Sequence, residues 1–311
     1  MKILQIDKNH PLLTDQLTAA GFMIEDDFSS TYAEICEKIS VYDGIIIRSR
    51  IPIDQNLLEN ATQLKFIARV GSGMENIDCE FAKSKGIELI NSPEGNRDSV
   101  AEHVLGMLLM LMHRLQIAAS EVKNGIWRRE ENRGDELRGK TLGVIGYGVM
   151  GKAVARRLSG FGVKVIFYDI RPDLSDEFAE QVSLEDLKKE ADILSIHLPE
   201  TPETLHFVNE KMISEMLKDF YLVNTARGKN VNTKDLVNAL TSGKIKGACL
   251  DVLEFEKPSF ENLEIVNEDL NYLLNTDNVI VTPHIAGWTV QSKKMLAQVI
   301  VDKIKAKFQP N

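Results

Sequence analysis

Cysteine is scarce in this sequence and scattered along it. Only Cys36, Cys79 and Cys249 occur in 311 residues, and no two of them form a Cys-x-x-Cys pair. An odd, dispersed set of thiols argues against a disulfide framework and against a cysteine-based zinc site. Reduced thiols of this kind suit a cytoplasmic protein, and we expect no bound metal.

Long apolar runs are also missing. The longest, residues 104–112, has nine residues, whereas a membrane-spanning helix needs about 20. The first residues, MKILQIDKNHPL, contain too short an apolar run for a signal peptide. We therefore expect a protein that does not act at a membrane.

Positive charge is in deficit. Lys and Arg number 37 against 46 Asp and Glu, so the net charge is −9, and no long basic run offsets it. This balance disfavours nucleic acid and anionic membranes as partners. An anionic substrate would need a local cationic pocket that works against the overall field.

The order of the apolar segments predicts two α/β domains, which also suits a length of 311 residues at roughly 100–200 residues per domain. Short apolar segments alternate with helical ones in both halves, as in parallel sheets with helices on both faces. The strand candidates are residues 2–6, 43–48, 64–70, 88–91, 141–145, 164–168, 193–197, 221–224, 247–250 and 279–282. The main helix candidates are residues 11–20, 81–85, 150–160, 233–242 and 292–308.

One further helix candidate, residues 98–125, is apolar on most of its circumference and includes Met107, Met110 and Met112. A helix that is apolar all round is buried on all sides. We predict one continuous helix, capped by Asp98 or Ser99, that packs between domains or against a second subunit.

A glycine-rich loop of the form Gly-x-Gly-x-x-Gly follows the strand candidate 141–145 and precedes a helix candidate. Its members are Gly146, Tyr147, Gly148, Val149, Met150 and Gly151. Such a loop lets backbone N–H groups at a helix N-terminus hold a pyrophosphate. The next strand ends in Asp169, where a carboxylate can accept hydrogen bonds from ribose hydroxyls and repel a 2′-phosphate. The loop predicts NAD rather than NADP, although Arg171 could soften that repulsion.

Three later strand candidates are each followed by polar residues, and ligands bind at such carboxyl ends in parallel sheets. They offer Arg227, Glu256 and His284. An arginine fork matches a carboxylate. A histidine with a carboxylate partner is a tuned acid or base near neutral pH. Taken one at a time, each could equally be an ion-pair, solvated or packing residue.

The chain resembles the D-isomer-specific 2-hydroxyacid dehydrogenases, and among them the short-form D-3-phosphoglycerate dehydrogenases. The resemblance runs through VGSGMENID (70–78), NSPEGN and SVAEH (91–103), GKTLGVIGYGVMG (139–151), HLPETPET (197–204), NTARG (224–228), LDVLEFE (250–256) and TPHIAG (282–287). It implies that Arg227, Glu256 and His284 are catalytic. The residues that it implies for binding are Asp251, Thr225 and Ala226 for the cofactor, with Asp251 on the nicotinamide amide, and the backbone around Ser72 and Gly73 for the substrate carboxylate.

The resemblance also implies a fold: a Rossmann-type NAD-binding domain, residues 96–282, inserted into a flavodoxin-like substrate domain, residues 1–95 and 283–311. It implies a cleft between the domains with hinges near Pro93 and Pro283, and a homodimer formed through the cofactor domain. We expect no C-terminal regulatory domain. His197 is expected to be structural or adjacent to the cofactor.

The sequence departs from the family pattern in three places. Lys257 separates Glu256 from Pro258, and Met74-Glu75 stands where an aspartate commonly precedes Asn76. Residues 258–277 form an acidic stretch that we interpret as an irregular surface excursion.

The resemblance implies a small 2-hydroxy or 2-keto acid as the substrate, and we expect a phosphorylated one as the first candidate. Arg48 and Arg50 lie two residues apart at the carboxyl end of the strand candidate 43–48, so strand alternation would point both toward one phosphate. This predicts 3-phosphoglycerate or phosphohydroxypyruvate, and hence serine biosynthesis. A carboxylate such as Asp54 or Glu59 could instead be their partner. Two alternatives stay open: a glyoxylate or hydroxypyruvate reductase, and an NAD-sensing regulator similar to transcriptional corepressors.

Overall fold

The computed structural model describes residues 1–256 and 268–309, and it divides into two compact units. Unit 1 comprises Met1–Arg97 and Trp288–Asn311, and unit 2 comprises Asp98–Gly287. These boundaries lie a few residues after the domain boundaries expected from the sequence. Within the described ranges, no helix has the length and apolar character that a membrane crossing needs.

Unit 1 contains a five-stranded parallel sheet with the strand order β2-β1-β3-β4-β5, which is the flavodoxin-like order. The strands are β1 (Lys2–Gln5), β2 (Met23–Asp26), β3 (Gly44–Ile47), β4 (Phe66–Arg69) and β5 (Glu88–Asn91). The helices between them are α1 (Leu12–Ala19), α2 (Tyr32–Lys38), α3 (Gln55–Asn60) and α4 (Cys79–Ser84). Separate apolar clusters pack on the two faces of the sheet.

Local sequence explains which strands of unit 1 were predictable. Strand β3 is buried along its whole length, and a continuous apolar run is the usual sequence of an interior parallel strand. Strand β2 was not predicted, because three of its four residues are exposed and two are acidic. It pairs with β1 along its backbone, in the register Lys2↔Met23.

Unit 2 contains a seven-stranded parallel sheet with the order β12-β11-β10-β9-β6-β7-β8. Its strands are β6 (Thr141–Ile145), β7 (Lys164–Tyr168), β8 (Glu180–Gln181), β9 (Ile193–Ile196), β10 (Phe220–Asn224), β11 (Ile245–Leu250) and β12 (Val279–Val281). Its helices are α5 (Arg97–Met112), α6 (Leu115–Lys123), α7 (Val149–Leu158), α8 (Leu184–Glu190), α9 (Glu210–Glu215), α10 (Thr233–Ser242) and α11 (Glu268–Asn275). Side chains alternate between the apolar clusters on the two faces; Leu222 packs in one and Val223 in the other. The predicted α/β architecture with two parallel sheets is confirmed.

The single long helix predicted for residues 98–125 is wrong. It is broken between α5 and α6 at Arg114, which has a left-handed backbone with φ 54°. The carbonyl of Met112 accepts a hydrogen bond from Asp135 N–H at 2.8 Å, so a distant segment takes the place of the next helical turn. Helix α6 buries none of its residues, and Leu115 and Val122 are about half exposed. Helix α6 is therefore not buried within a single chain, and packing of this region against a second subunit stays a prediction.

The acidic stretch 258–277 is not irregular throughout. Its described part contains α11, whose Leu270 and Leu273 are buried in the apolar core of unit 2. The prediction for residues 258–267, and the departure at Lys257, lie outside the described residues.

The last helix, α12 (Val290–Phe308), belongs to unit 1. Thr289 caps it in a capping box with Ser292. Its buried face, which includes Ile300 and Ile304, packs in the same apolar cluster as Leu13 of α1. The chain end thereby completes the core that the first 97 residues begin.

Candidate functional site

The glycine-rich loop lies where the strand order of unit 2 reverses, between β6 and its neighbours β7 and β9. Gly146 has φ +88°, and a Cβ there would lie 2.6 Å from the His197 carbonyl oxygen. A Cβ at Gly151 would overlap the Gly146 carbonyl oxygen, so the close approach of α7 to the end of β6 requires glycine at position 151. Gly148 faces open space, and no side chain caps α7. The first N–H groups of α7 can therefore bind an anion.

The side chains of the three other loop residues differ in burial. Val149 and Met150 are half-buried in the first turn of α7. Tyr147 is buried instead: its ring stacks on Phe167 at 3.8 Å and its hydroxyl donates to Asp176 at 2.8 Å. The Tyr147 side chain therefore belongs to the core of unit 2.

Asp169 directly follows β7 and lies beside the loop. Its carboxylate accepts the Tyr147 N–H at 2.8 Å and two guanidinium N–H groups of Arg171, each at 3.0 Å. Chiefly because of the Arg171 contact, the pKa of Asp169 falls to about 2. The carboxylate is ionised at any working pH, and Arg171 shares the position expected for ribose recognition.

Two buried polar atoms at the same sheet edge have no hydrogen-bond partner among the described residues: Thr225 Oγ1, just after β10, and His197 Nδ1, just after β9. The Nε2 of His197 contacts Ser195 Oγ at 2.8 Å, and burial lowers the pKa of His197 to about 4, so the ring is neutral. Unsatisfied buried polar atoms beside a preformed anion loop fit a polar ligand such as a dinucleotide. Ala226, by contrast, is buried, and its N–H donates to Asn224.

His284 and Glu256 form the central contact of the site. Glu256 follows β11 and His284 follows β12, and the two strands are neighbours. The Glu256 carboxylate contacts His284 Nδ1 at 2.7 Å and accepts the Leu253 N–H at 2.5 Å. A carboxylate acceptor places a proton on Nδ1, which leaves Nε2 of the neutral ring as the proton-accepting nitrogen. His284 also has a left-handed backbone, with φ 55°.

Asp251 holds the turn that carries His284. One of its oxygens accepts the Thr282 hydroxyl at 2.5 Å and the Ile285 N–H at 2.8 Å, and the other accepts the Ala286 N–H at 2.8 Å. Its carbonyl accepts the His284 N–H at 2.8 Å. Asp251 is 1% exposed, and its hydrogen bonds hold this turn in place. The contact with nicotinamide stays a prediction.

His103 of α5 extends this network, which sequence reasoning missed. Its Nε2 contacts Thr282 Oγ1 at 2.9 Å. Because the Thr282 hydroxyl donates to Asp251, it must accept from His103, so His103 carries its proton on Nε2.

Arg227 follows β10, the strand next to β11, and is half-buried. Its Nη1 donates to the Ala226 carbonyl at 2.6 Å, and its own carbonyl accepts from Asn224 Nδ2 at 2.9 Å. The three residues proposed as catalytic thus follow three adjacent strands of one sheet.

In unit 1, the loop after β4 contains Ser72 and Gly73. The Ser72 hydroxyl donates to Asn96 at 2.7 Å, and the Ser72 carbonyl accepts from Asn91 at 2.7 Å. No group within residues 1–256 or 268–309 accepts a hydrogen bond from the Ser72 or Gly73 N–H. The loop is held in place with two backbone donors available for an anion.

Arg48 and Arg50 have different roles, which corrects the prediction for Arg50. Strand β3 ends at Ile47, so strand alternation does not extend to either arginine. Arg50 donates to three backbone carbonyls of its own unit, those of Ile6, Asp27 and Ser30. It is a structural residue.

The Arg48 guanidinium lies over the Trp288 ring at 4.6 Å, a cation–π contact, and no carboxylate contacts it among the described residues. Burial lowers its pKa, and the charge of Asp7 opposes that shift. Arg69, which sequence reasoning missed, ends β4 and pairs in register with Ile47, the neighbour of Arg48. Its position at the end of a strand was the available signal. A Cβ at Gly71 would overlap the Arg69 guanidinium, so the glycine makes room for it.

No group of three or more His, Cys, Asp or Glu side chains within the described ranges is arranged to hold a metal ion. The three cysteines are unpaired, and burial raises the pKa of Cys249. The site therefore consists of glycine-loop amides, paired carboxylates, histidine and arginine.

Comparison with known proteins gives this arrangement a family. The sequence profile of the D-isomer specific 2-hydroxyacid dehydrogenase NAD binding domain matches residues 105–286. The chain is 38% identical to a hydroxypyruvate reductase of Thermotoga maritima, over 87% of this chain and 86% of that protein. It is 37% identical to a D-3-phosphoglycerate dehydrogenase of Methanocaldococcus jannaschii over 98% of this chain, which spans 57% of that protein's length.

Among solved structures, a D-lactate dehydrogenase from Aquifex aeolicus complexed with NAD and lactic acid superposes with a TM-score of 0.81. Its sequence is 34% identical, and the match covers 98% of this chain and 95% of that one. Profile, sequence and structure agree, and the chain belongs to the NAD-dependent D-isomer specific 2-hydroxyacid dehydrogenase family.

Proposed function

We propose that His284 is the acid–base residue of a D-2-hydroxy acid oxidation and of the reverse 2-keto acid reduction. The observation that supports this most is the 2.7 Å contact between His284 Nδ1 and the Glu256 carboxylate, at the strand edge that also carries the glycine loop. Bound NAD supplies the hydride acceptor and NADH the donor. The loop amides and Thr225 would hold it.

In the oxidative direction, Nε2 of His284 takes the proton of the substrate hydroxyl. Glu256 keeps the proton on Nδ1 and stabilises the imidazolium that forms. Arg227 binds the substrate carboxylate and polarises the C2 oxygen. In reduction, the imidazolium returns its proton to the new hydroxyl.

We infer that unit 1 binds the anionic groups of the substrate. The Ser72 and Gly73 N–H groups are suited to the carboxylate. Arg48, with Arg69 at the neighbouring strand end, is suited to a distal phosphate, since its guanidinium has an aromatic ring rather than a carboxylate as its partner. This favours phosphohydroxypyruvate and 3-phosphoglycerate as the substrate pair, in serine biosynthesis. Unphosphorylated hydroxypyruvate is the second candidate, supported by the relative from T. maritima.

A substrate panel tests the proposal. Nicotinamide absorbance is followed with phosphohydroxypyruvate, hydroxypyruvate, glyoxylate and pyruvate, each with NADH and with NADPH. We expect turnover with NADH and the highest kcat/KM for phosphohydroxypyruvate. A preference for hydroxypyruvate would refute the phosphate assignment alone. NADH binding without turnover on the panel would refute the enzyme and favour a nucleotide-sensing regulator.

We further propose that two copies of the chain associate through the α5–α6 region. Leu115, Val122 and Ile126 are each about half exposed there, and Trp127 is 78% exposed. A second copy would remove this apolar surface from water. Light scattering after size exclusion should give the mass of a dimer, and Trp127→Glu should shift the protein toward monomer. A monomeric wild-type protein would contradict the proposal.

A further inference from the structure

Unit 2 contains a second histidine–glutamate pair that the mechanism above does not use. His206 Nε2 contacts the Glu254 carboxylate at 2.7 Å. Glu254 lies two residues before Glu256, in the same loop after β11. One loop therefore carries two glutamates, each in contact with a histidine from a different segment.

The other oxygen of Glu254 contacts the start of α10. It accepts the Thr233 N–H at 3.0 Å and the Thr233 hydroxyl at 2.7 Å. This one carboxylate thus ties the loop of Glu256 to the segment before α9 and to the N-terminus of α10. An anion is also favourable at a helix N-terminus.

The charge of Glu254 is maintained by these contacts. Burial works to raise the pKa of its carboxyl, but the hydrogen bonds from Thr233 and the contact with His206 outweigh burial and leave the pKa below its ordinary value. Glu254 is ionised near neutral pH, so all three contacts are charge-assisted and hold the loop more firmly than neutral ones would.

His206 is itself held in an uncommon conformation. It has a left-handed backbone with φ 50°, close to the 55° of His284. Its N–H donates to the Lys229 carbonyl at 2.8 Å, and its carbonyl accepts from Asn209 at 2.9 Å. Non-glycine residues keep such a backbone only where the surroundings determine it. The ring is thus presented to Glu254 by a fixed backbone.

The same loop touches the segment of Arg227. A Cβ at Gly228 would overlap the Leu253 carbonyl oxygen and would lie 2.6 Å from Glu254 N. The Leu253 N–H also donates to Glu256. The loop of residues 253–256 therefore carries Glu256 to His284 and also packs against Gly228, the neighbour of Arg227. Displacement of this loop would disturb Glu256, His284 and Arg227.

We propose that Glu254 is a positioning residue for the reaction. It anchors residues 253–256 to His206 and Thr233, which keeps the Glu256 carboxylate on Nδ1 of His284 and the proton on that nitrogen. Glu254 does not touch the reacting atoms. The inference rests on the proposed acid–base role of His284.

The direct measurement is the tautomer of the His284 ring, read from ¹⁵N NMR of histidine-labelled protein without substrate and assigned by the loss of its signals in His284→Gln. We expect the Nδ1–H form in the wild-type protein. In Glu254→Ala we expect that form to be partly replaced by Nε2–H, the common tautomer in water. Glu254→Gln should largely restore it, since an amide oxygen can still accept from Thr233.

Kinetics provide the second measurement. A misplaced base can cost up to about 100-fold, so kcat should fall by that order in Glu254→Ala, with KM and the NADH Kd nearly unchanged. Glu254→Gln should recover most of the loss. Glu203→Ala removes an exposed glutamate near His206 and should change neither the tautomer nor kcat.

The outcomes separate this proposal from the proposed function. A lower melting temperature in Glu254→Ala with an unchanged His284 tautomer and kcat would mean that Glu254 only stabilises the fold. An inactive wild-type protein would refute the proposed function, while the NMR comparison would still decide the positioning role. If Glu254→Ala does not fold, Thr233→Val removes the side-chain donor alone, and an unchanged tautomer in that variant would overturn the inference.

Discussion

The polar groups at the carboxyl edges of the two parallel sheets differ in whether they have partners within the protein. In unit 2 the carboxylates have internal partners: Glu256 contacts His284, Asp169 contacts Arg171, and Asp251 accepts hydrogen bonds from the turn around Thr282. In unit 1 the corresponding edge leaves donors without carboxylate partners. Arg48 stacks on Trp288, and the Ser72 and Gly73 N–H groups have no acceptor within the described residues.

The difference reflects two kinds of task. A proton-transfer site needs its groups oriented before the substrate arrives, and internal hydrogen bonds provide that orientation. An anion-binding site needs unsatisfied donors, since a carboxylate already present would compete with the ligand. The comparison predicts that changes at the His284–Glu256 pair of unit 2 lower kcat, whereas changes at the edge of unit 1 raise KM.

The largest expected effect is at His284. His284→Gln should lower kcat by about 100- to 10,000-fold, the usual contribution of general acid–base catalysis. The NADH Kd, measured by nicotinamide fluorescence, should stay nearly constant. His113→Gln, at an exposed histidine, is the matched control and should leave both quantities unchanged. Loss of NADH binding together with kcat would indicate a folding role for His284.

Arg48 tests the other side of the comparison. Arg48→Gln should raise the KM for phosphohydroxypyruvate by roughly 10- to 100-fold, because a charge-assisted contact is worth about 1.5–3 kcal/mol. The KM for hydroxypyruvate should barely change. Arg50→Gln should instead lower the urea midpoint of unfolding, since it removes donors from three backbone carbonyls. Equal KM effects on both substrates would end the phosphate interpretation.

Asp169 should have a smaller effect, on cofactor choice. Asp169→Ala should weaken NADH binding by roughly tenfold, the low end for a charge-assisted hydrogen bond. It should also reduce the preference of the protein for NADH over NADPH. The pKa of Asp169 is about 2 in the folded chain, against about 3.9 for an ordinary aspartate. The stabilisation by its ion pair is therefore complete above that ordinary value and is lost only as the pH falls toward 2.

The low pKa of Asp169 also predicts how NADH binding depends on pH. The ratio of NADH Kd between Asp169→Asn and the wild-type protein should be the same at pH 5 and pH 9, because the wild-type carboxylate is ionised at both. A ratio that changes with pH would mean that another group controls ribose recognition. A wild-type preference for NADPH would refute the NAD assignment of Asp169.

The smallest expected effect concerns Thr282. Thr282→Val keeps the shape but leaves Asp251 and His103 without the hydroxyl that joins them. Unfolding free energy from urea denaturation should fall by about 1–3 kcal/mol, the cost of unsatisfied buried polar groups. The loss of kcat should be far smaller than in His284→Gln. Thr241→Val, at an exposed helix position, should be neutral, and equal effects at both positions would count against the network.

Much of the fold was readable from local sequence. Strands β5, β6 and β7 and helix α10 have the predicted bounds. Strands β6 and β7 are mainly buried apolar runs, and α10 begins at a capping asparagine and ends before Gly243. Strand β2 and the break at Arg114 were not readable, since each is created by a partner segment rather than by its own residues.

The site divides in the same way. The sequence alone determined the glycine loop and the residue types at the strand ends, because the turn, the helix start and the preceding strand are contiguous in the chain. Only the tertiary structure decided which charges meet. Arg50 turns to carbonyls more than 20 residues away in sequence, and Glu254 contacts a histidine 48 residues before it. The partner of a charged side chain depends on distances across the fold, which no local pattern contains. The sequence around an arginine at a strand end therefore does not show whether it binds a substrate or the protein's own backbone.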